Sequence, residues 1–369
     1  MAIYNSTSGL TYATVSDAIT AAAPGDVIQL SAGTYSENFP LIQNITIQGV
    51  GGLARLTPVL TVNPQPGDPL YQPPANAKAI LVTQGAVTLD HLELTGAAIA
   101  PADGGNGAGI RYETGSLTIT NSHIFGNQNG LLANANPGAA ITIDHSEFDH
   151  NGAEDGFTHN IYVGQIGTLT ITNAYIHDAL GGHEIKSRAD NTIITGTRVQ
   201  DGQADSSYLV DLPNGGVGLL TDDIFAKGIN APNFAGIHFG GELDPVIDPS
   251  SLTLGHITWI NLLDPSLTQG YSPVVLDHAS PYTTPAITGS TFYGITSGQL
   301  LTDATGTQVP GDAYTSPDLG NIFLGIEAAP AFDTASPILF PGVDVPEPGT
   351  ALLLLGALLA ARIRSRRAS

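Results

Sequence analysis

The chain has 369 residues, enough for two average domains or one long repeat protein. Its formal net charge of −22 excludes nucleic acid as a general partner, because phosphate binding requires a cationic surface. It has no cysteine, which excludes disulfides and thiolate sites, and its 44 glycines and 25 prolines favour strands and turns over helices.

The first predicted element is a short N-terminal helix. Val15, Ala18, Ile19 and Ala22 are apolar at helical spacing, and the dipeptide at 24–25, Pro-Gly, ends the pattern. We expect an amphipathic helix over about 14–23 that caps one open end of a repeat. The first residues contain neither the basic nor the apolar region of a signal peptide, so we expect that an export signal is missing from this sequence.

Two series of short segments then repeat along the chain. Segments that alternate apolar and polar residues recur roughly every 24 residues, and this alternation predicts strands. A unit that short buries its apolar face only by stacking on its neighbours. The central apolar residues of the first series are Ile119, Ile143, Ile171, Ile193 and Leu219, and its second strands centre on Ile124, Phe148, Ile176, Val199 and Ile224. Those of the other series are Ile110, Leu131, Ile161, Ile185, Leu209 and Ile237.

These coils, preceded by SDAITAAAPGDVIQLSAGTYSEN at 16–38, resemble the pectin-lyase-like superfamily. The resemblance implies an all-β fold, a single-stranded right-handed parallel β-helix with about three short strands per coil. We assign 1–328 to this domain, with regular coils over about 79–260 and irregular final coils over 265–328. Because the superfamily includes lyases, glycosidases, esterases and non-catalytic surface proteins, the resemblance does not indicate one activity.

The second series is predicted to carry a site on its outer face. If its central apolar residues point into the core, their polar neighbours point outward. The stretch GGHEIKSRAD at 181–190 also holds two of the 11 lysines and arginines of the chain. The candidate catalytic residues are Tyr162, His183, Glu184, Lys186, Arg188 and Tyr208, and the candidate substrate-binding residues are Arg111, His159, Asn160, Asp211 and His238.

Such a face suits an acidic polysaccharide, because guanidinium groups bind carboxylates in a forked geometry. In a β-eliminative lyase, Arg188 would bind the uronate carboxylate, and Lys186 would be the base if Arg188 lowered its pKa. Tyr162, Tyr208 or His183 would protonate the leaving oxygen. Some lyases of the superfamily resemble this arrangement, with lysine and arginine on this sheet.

The same residues leave two alternatives open. A glycoside hydrolase needs two carboxyl groups ~5–9.5 Å apart, and Glu184 with Asp211 or Asp178 is a conceivable pair. The carboxylates could instead neutralise Lys186 and Arg188 in a surface ladder. The protein would then be a non-catalytic surface, matrix or adhesion protein of the exopolysaccharide layer.

No cofactor follows with certainty from the sequence. Many lyases of the superfamily use calcium, and the loop carboxylates of Asp205 and Asp211 could hold this ion through oxygen. His177 and His183 with Asp178 lack an evident third ligand for a transition metal. We interpret the isolated histidines as turn or surface residues, namely His91, His123, His145 and His256. We expect a monomer whose partner is an acidic polysaccharide.

The C-terminal segment, VPEPGTALLLLGALLAARIRSRRAS, combines a Pro-Glu-Pro motif, an apolar run and an arginine cluster. The apolar run at 350–361 is shorter than the ~20 residues of a typical transmembrane helix, so we expect an apolar helix that anchors the chain at least transiently. This segment resembles the PEP-CTERM sorting signal of Gram-negative bacteria, through Pro346, Glu347, Pro348, Arg362, Arg364, Arg366 and Arg367. The resemblance implies recognition by an exosortase in the inner membrane and delivery to the cell envelope, cell surface or extracellular matrix. We assign 329–345 to a linker and 346–369 to the sorting segment.

Overall fold

The chain folds as a parallel β-helix, in which the strands of successive coils lie side by side. The computed structural model describes residues 1–59, 79–233, 235–242, 246–263, 272–277, 284–303 and 306–338. The all-β repeat architecture predicted from the sequence is confirmed.

The strands are short, as the turn-rich sequence predicts. In chain order they are β1 (Ile3–Asn5), β2 (Leu10–Thr11), β3 (Val27–Ser36), β4 (Ile42–Gln43), β5 (Thr46–Thr57), β6 (Ala79–Gln84), β7 (Ala86–Asp90), β8 (Leu92–Thr95), β9 (Ala108–Tyr112), β10 (Ser116–Thr120), β11 (His123–Phe125), β12 (Asn129–Ala133), β13 (Asn136–Asp144), β14 (Glu147–Asp149), β15 (Ile161–Val163), β16 (Ile166–Thr172), β17 (Tyr175–His177), β18 (Ile185–Ser187), β19 (Asn191–Thr195), β20 (Arg198–Gln200), β21 (Val210–Leu212), β22 (Gly215–Thr221), β23 (Ile224–Lys227), β24 (Ile237–Gly240), β25 (Ile247–Gly255), β26 (Thr258–Asn261), β27 (Val274–Asp277), β28 (Ala286–Thr288), β29 (Thr291–Tyr293), β30 (Leu301–Thr302) and β31 (Ile322–Leu324). Short 3₁₀ helices cover Pro101–Asp103, Ser297–Gln299, Gly311–Tyr314, Pro317–Leu319 and Ile326–Ala328.

The strands form three columns along the stack. The front sheet contains β4, β6, β9, β12, β15, β18, β21, β24, β27 and β30. The middle column runs through β7, β10, β13, β16, β19, β22, β25 and β28, and the back column runs through β8, β11, β14, β17, β20, β23, β26, β29 and β31. The long strands β3 and β5 start the stack, and β1 and β2 pair antiparallel beside them.

The predicted cap helix is present as α1 (Val15–Ala21). The hydroxyl of Thr14 accepts a hydrogen bond from the backbone N–H of Asp17 at 3.0 Å, which caps the first turn. Val15, Ala18 and Ile19 are buried against the first strands. The helix therefore covers apolar surface at the N-terminal end of the stack.

At least one row of apolar side chains runs along each column and points into the core. In the middle column this row is Leu89, Ile119, Ile143, Ile171, Ile194, Leu220, Leu254 and Ile287, and in the front sheet it includes Ile110, Leu131, Ile161, Ile185, Val210, Ile237 and Val274. The back row includes Ile124, Phe148, Ile176, Val199, Phe225, Trp259 and Phe292. The interior is thus built from stacked apolar residues.

Four of the predicted equivalent positions were out of register by one residue, although one of them, Leu209, is itself buried in the core. The repeats predicted Ile193, Leu209, Leu219 and Ile224, whereas the residues in register are Ile194, Val210, Leu220 and Phe225. Two apolar residues stand side by side at each place, so alternation alone does not choose between them. The corners between strands fix the register. Asn173 and Gly196, for example, have positive φ of 50° and 63° and follow successive strands at equivalent places.

The chain returns across the back column after β31. We name residues 329–338 the strap. Arg198 on β20 donates to the carbonyl of Asp333 at 2.7 Å, and the ring of Phe332 lies 6.1 Å from that of Tyr175 on β17. The side chain of Ser336 hydrogen-bonds to Glu147 on β14. The strap therefore runs from the C-terminal coils towards the middle of the stack.

The predicted apolar helix and all residues of the predicted sorting segment lie outside the described residues. Among the residues that the structure describes, no helix is long and apolar enough to cross a membrane.

Candidate functional site

One outward row of the front sheet gathers several predicted site residues. Tyr162, Lys186, Asp211 and His238 occupy equivalent positions on β15, β18, β21 and β24. Arg111 on β9 belongs to the same row, two strands before Tyr162. Neighbouring strands are about 4.8 Å apart, so these side chains form one continuous outer stripe.

Arg188 follows β18 and reaches the same stripe. Its Nε donates to the hydroxyl of Tyr162 at 3.2 Å, and its terminal nitrogens bind both carboxylate oxygens of Glu242 and the amide oxygen of Asn214. These hydrogen bonds from Arg188 lower the pKa of Glu242. Glu242 follows β24 and is 46% exposed. The guanidinium is therefore held by a carboxylate that remains open to solvent.

A groove of about 470 Å³ lies beside this arginine. We name it the front groove. Its lining consists of Asn106, Arg111, Leu132, Ala133, Asn134, Ala135, Tyr162, Gly164, Gln165, Arg188, Asn214 and Ile247. Arg111 donates to Glu113 at 2.5 Å and to Asn134 at 3.1 Å. Two arginines, one tyrosine and several amide side chains thus face the same space.

Lys186 belongs to a tight polar cluster beside the groove. Its Nζ lies 3.0 Å from one oxygen of Asp211 and 3.5 Å from Glu242. The other oxygen of Asp211 lies 2.8 Å from Nδ1 of His238. Burial alone would raise the pKa of Asp211, but the hydrogen bond from His238 and the charges of His183 and Lys186 lower it to about 2. Lys186 is therefore engaged in ion pairs with two carboxylates.

Four ring side chains stack along the edge of this cluster. His159 packs on His183 with ring centroids 4.8 Å apart, and Tyr208 packs on His238 at 4.6 Å. Burial lowers the pKa of His183 to about 4 and that of His159 well below its usual value. His183 accepts a hydrogen bond at Nδ1 from the backbone of Tyr208 at 3.2 Å. The imidazoles of His159 and His183 are therefore neutral, and these two rings and Tyr208 lie just before β15, β18 and β21, whereas His238 lies on β24.

The expectation that Asn160 and Glu184 lie on the outer face was wrong. Both are fully buried at the corner between the back column and the front sheet, because β15 and β18 begin only at the next residue. We name Asn127, Asn151, Asn160 and Glu184 the corner ladder. Asn127 donates to Asn151 at 3.0 Å, Asn151 donates to Asn160 at 2.8 Å, and Asn160 donates to Glu184 at 2.5 Å.

Burial also changes the chemistry of Glu184. It raises the pKa of this carboxyl to about 8, although the backbone N–H of Ala179 donates to it at 2.9 Å. A carboxyl group without solvent access cannot contact a polymer on the outer face. The conceivable hydrolase pairs of Glu184 with Asp211 or Asp178 are therefore not available at this site.

A buried ion pair continues the same corner one strand further. Lys227 at the end of β23 lies 2.7 Å from Asp201, and neither side chain is exposed. The ammonium also donates to the backbone carbonyls of Ser206 and Ser207. Lys227, one of the few cations of the chain, thus stabilises the fold and is not part of the outer site.

The residues proposed for calcium do not fit that ion. Asp211 is surrounded by the nitrogens of His183, Lys186 and His238, whereas calcium takes oxygen ligands. Asp205 accepts a hydrogen bond from the backbone N–H of Gly181 at 2.9 Å.

Glu242, Asn134 and Asn214 were not predicted as site residues from the sequence. Glu242 binds Arg188 across 54 residues of sequence, a separation that no local pattern reports. The only available signal was its place shortly after a strand of the front series, in GIHFGGELDP at 236–245. Asn214 lies in the turn after β21, where asparagine is usually read only as a turn residue.

Comparison with solved structures finds distant matches. The pectate lyase Pel9A matches with a TM-score of 0.41 and 14% sequence identity, over 82% of this chain and 78% of the lyase. A pectin methylesterase variant in complex with a hexasaccharide matches with a TM-score of 0.35 and 12% identity, over 88% of each chain. Escherichia coli YbhC matches with a TM-score of 0.35 and 12% identity, over 87% of this chain and 82% of that protein.

Comparison at the sequence level addresses the C-terminal segment. A search of curated protein sequences found no match. Residues 344–367 match the family model of the PEP-CTERM protein-sorting motif, so the predicted resemblance of this segment is confirmed. The chain therefore carries a C-terminal motif that indicates export and sorting through an exosortase.

Proposed function

We propose that this protein binds an acidic extracellular polysaccharide in the front groove. The observation that carries the proposal is the contact between Arg188 and Glu242, because both carboxylate oxygens of Glu242 are bound by one guanidinium. A uronate carboxylate has the same planar shape and charge. Glu242 therefore stands where an acidic sugar would be bound.

The rest of the groove supports this mode of binding. Arg111 offers a second guanidinium, Tyr162 offers a ring and a hydroxyl, and Asn134 and Asn214 offer amides for sugar hydroxyl groups. The body of the chain is strongly acidic and repels polyanions elsewhere, so binding is restricted to this stripe. Binding of an acidic polymer on this stripe would account for the two cations at 186 and 188 in a chain with few lysines and arginines.

The binding experiment compares three variants of the full-length chain by calorimetric titration with polyuronates and sulfated glycans. Arg188→Gln should weaken binding at least tenfold, because it removes a charge-assisted pair of hydrogen bonds. Glu242→Gln should strengthen binding, because the ligand no longer competes with an internal carboxylate. Arg55→Gln is the matched control, since Arg55 forms a similar forked pair with Glu93, at 2.8 and 2.7 Å, away from the groove.

The results separate the proposal from simple loss of folding. Thermal unfolding of each variant should show an intact fold, because Arg188 and Glu242 are partly exposed. Equal weakening by Arg188→Gln and Arg55→Gln would assign binding to general charge. Absence of binding to every polymer by the wild-type chain would overturn the proposal.

A second candidate function is β-eliminative cleavage of the same polymer. It is favoured by the 3.2 Å contact between Arg188 and the hydroxyl of Tyr162, which places a carboxylate binder beside a possible proton donor. The base is the weak point, because Lys186 is engaged in ion pairs with Asp211 and Glu242 and does not line the groove. Cleavage would produce unsaturated uronate ends and a rise in ultraviolet absorbance. A rise in the wild-type chain that is lost in Tyr162→Phe would establish a lyase, and binding without a rise would establish a non-catalytic polysaccharide-binding protein.

The sorting motif suggests where this binding occurs. We infer that an exosortase of the inner membrane receives residues 344–367 and that the β-helix is delivered to the cell surface or its matrix. Cell fractionation tests this inference. Replacement of Pro346, Glu347 and Pro348 by alanine should leave the chain in the membrane fraction instead of the surface fraction, and an unchanged distribution would contradict it.

A further inference from the structure

A mixed cluster of histidines and carboxylates lies on the outer face of the back column. His123 on β11, Glu147 and Asp149 on β14, and His177 on β17 occupy two adjacent outward positions on three neighbouring strands. One donor atom each from His123, Glu147 and Asp149 lies within 4.8 Å of the other two. The front groove uses none of these residues, so the cluster is independent of the proposed function.

We propose that this cluster is a binding site for a divalent first-row transition ion, with Zn²⁺ as the best match. Imidazole and carboxylate together are ligands that such ions prefer. Donor atoms bound to one Zn²⁺ at ~2.0–2.2 Å lie on the order of 3–3.5 Å apart, so a small contraction of the three side chains brings them into range. His123 Nε2 and Asp149 Oδ1 are hydrogen-bonded at 2.5 Å, so an ion would replace the shared proton and separate these two atoms by somewhat less than an ångström.

His177 lies beside these three residues on the next coil, where it would add a fourth ligand. Its Nε2 lies 3.1 Å from Glu147, while its Nδ1 lies 2.8 Å from Asp178. A histidine held at one nitrogen by a carboxylate, with its other nitrogen directed at a metal, is the usual arrangement at zinc sites. The second oxygen of Asp149 lies 2.5 Å from His150, which fixes that carboxylate in the same way.

The environment of the cluster distinguishes it from a solvated surface ladder. The side chains of Glu147, Asp149 and His177 are only 12–13% exposed, and Ser336 of the strap hydrogen-bonds to Glu147. The carboxylates of Glu147, Asp149 and Asp178 converge here. The nearby guanidinium of Arg198 is bound to backbone carbonyls of the strap. A divalent ion at the centre would supply positive charge where sheet geometry has fixed the ligands.

The test is zinc binding by the full-length chain, measured by calorimetry and by metal analysis after dialysis. We expect one equivalent of Zn²⁺ and a higher midpoint of thermal unfolding in its presence, because an ion that binds the folded chain stabilises it. Asp149→Asn and Glu147→Gln should each weaken binding at least tenfold, while keeping the size of the side chain. Bound Co²⁺ should give visible absorption that both variants lose.

Asp144→Asn is the matched control. Asp144 pairs with His145 at 2.7 Å in the same coil, yet it lies outside the cluster. This variant should bind zinc as the wild-type chain does. Binding of less than a fifth of an equivalent, or affinity equal in all four chains, would overturn the proposal and leave the cluster as proton-bridged histidine–carboxylate pairs.

Discussion

The corner ladder and the front groove lie on either side of the start of the front strands β15 and β18, but their polar groups differ in exposure. In the ladder, Asn160 and Glu184 have no exposure, and every partner is another residue of the corner. In the groove, Glu242 binds Arg188 while nearly half of its side chain remains exposed. A polar contact at the corner is fixed by burial, whereas a contact in the groove can be exchanged for a ligand.

The difference teaches how to interpret the rare cations of this chain. Lys227 and Lys186 both form ion pairs with aspartate, at 2.7 and 3.0 Å. Lys227 is fully buried, while Lys186 stands on the outer stripe beside the groove. The depth of the pair, and not its distance, separates a structural residue from a functional candidate.

The largest expected effect comes from removing the buried cation. Lys227→Met should lower the free energy of unfolding by about 3–5 kcal/mol, because it leaves the carboxylate of Asp201 buried without a partner. Lys186→Met should cost less, about 1–3 kcal/mol, since the largely buried Asp211 loses one partner but keeps its hydrogen bond with His238. Urea unfolding measures both. Adding Asp201→Asn to Lys227→Met should recover part of the loss, and equal costs for the two lysines would break the comparison.

A smaller effect depends on pH at the corner. Burial raises the pKa of Glu184 from 4.5 to about 8, so the folded chain keeps a proton that the unfolded chain releases. This contribution to stability is complete below pH ~4.5 and is lost as pH rises towards 8. Glu184→Gln removes it, so the wild-type chain should lose a few kcal/mol relative to the variant between pH 5 and 8. Parallel pH profiles in urea unfolding would show that Glu184 ionises freely.

The smallest contrast compares two asparagines. Asn151→Ala should cost about 1–3 kcal/mol, because Asn127 and Asn160 each lose a buried hydrogen-bond partner. Asn134→Ala in the groove should cost less than about 1 kcal/mol, since solvent can replace its contacts. Thermal unfolding compares them directly. A greater loss in Asn134→Ala would place the rigid polar network on the outer face instead.

The fold was predictable because its signal is repeated. Each coil has the same alternation and the same apolar centre, so one irregular coil does not hide the period. The errors occurred where alternation is ambiguous, as at Ile193 beside Ile194, and where a strand is too short for the rule. Asn160 was placed outside by counting two residues back from Tyr162, but β15 contains only 161–163. The chain turns at the corner before β15 begins, so the alternation of side chains in a strand does not extend back to Asn160.

The candidate site was predictable only in part. The row of Tyr162, Lys186, Asp211 and His238 follows from strand register, and the local sequence around 181–190 points to it. Glu242 was not predictable, because its role depends on where a turn from another coil places its side chain. The cluster around Asp149 was missed for a similar reason. Its residues come from three coils, and His123 alone looks like a surface histidine.

The strap limits how far the sorting motif can lie from the β-helix. Its last described residue, Ile338, is six residues before the sorting motif begins at 344. A fully extended chain spans at most ~3.6 Å per residue, so the segment between Ile338 and the motif can span no more than about 20 Å. The ten strands of the front sheet, about 4.8 Å apart, make a stack roughly 45 Å long. Because Ser336 contacts β14, the third of the nine back-column strands, a partner that binds the motif must lie beside the flank of the stack and not beyond its C-terminal end.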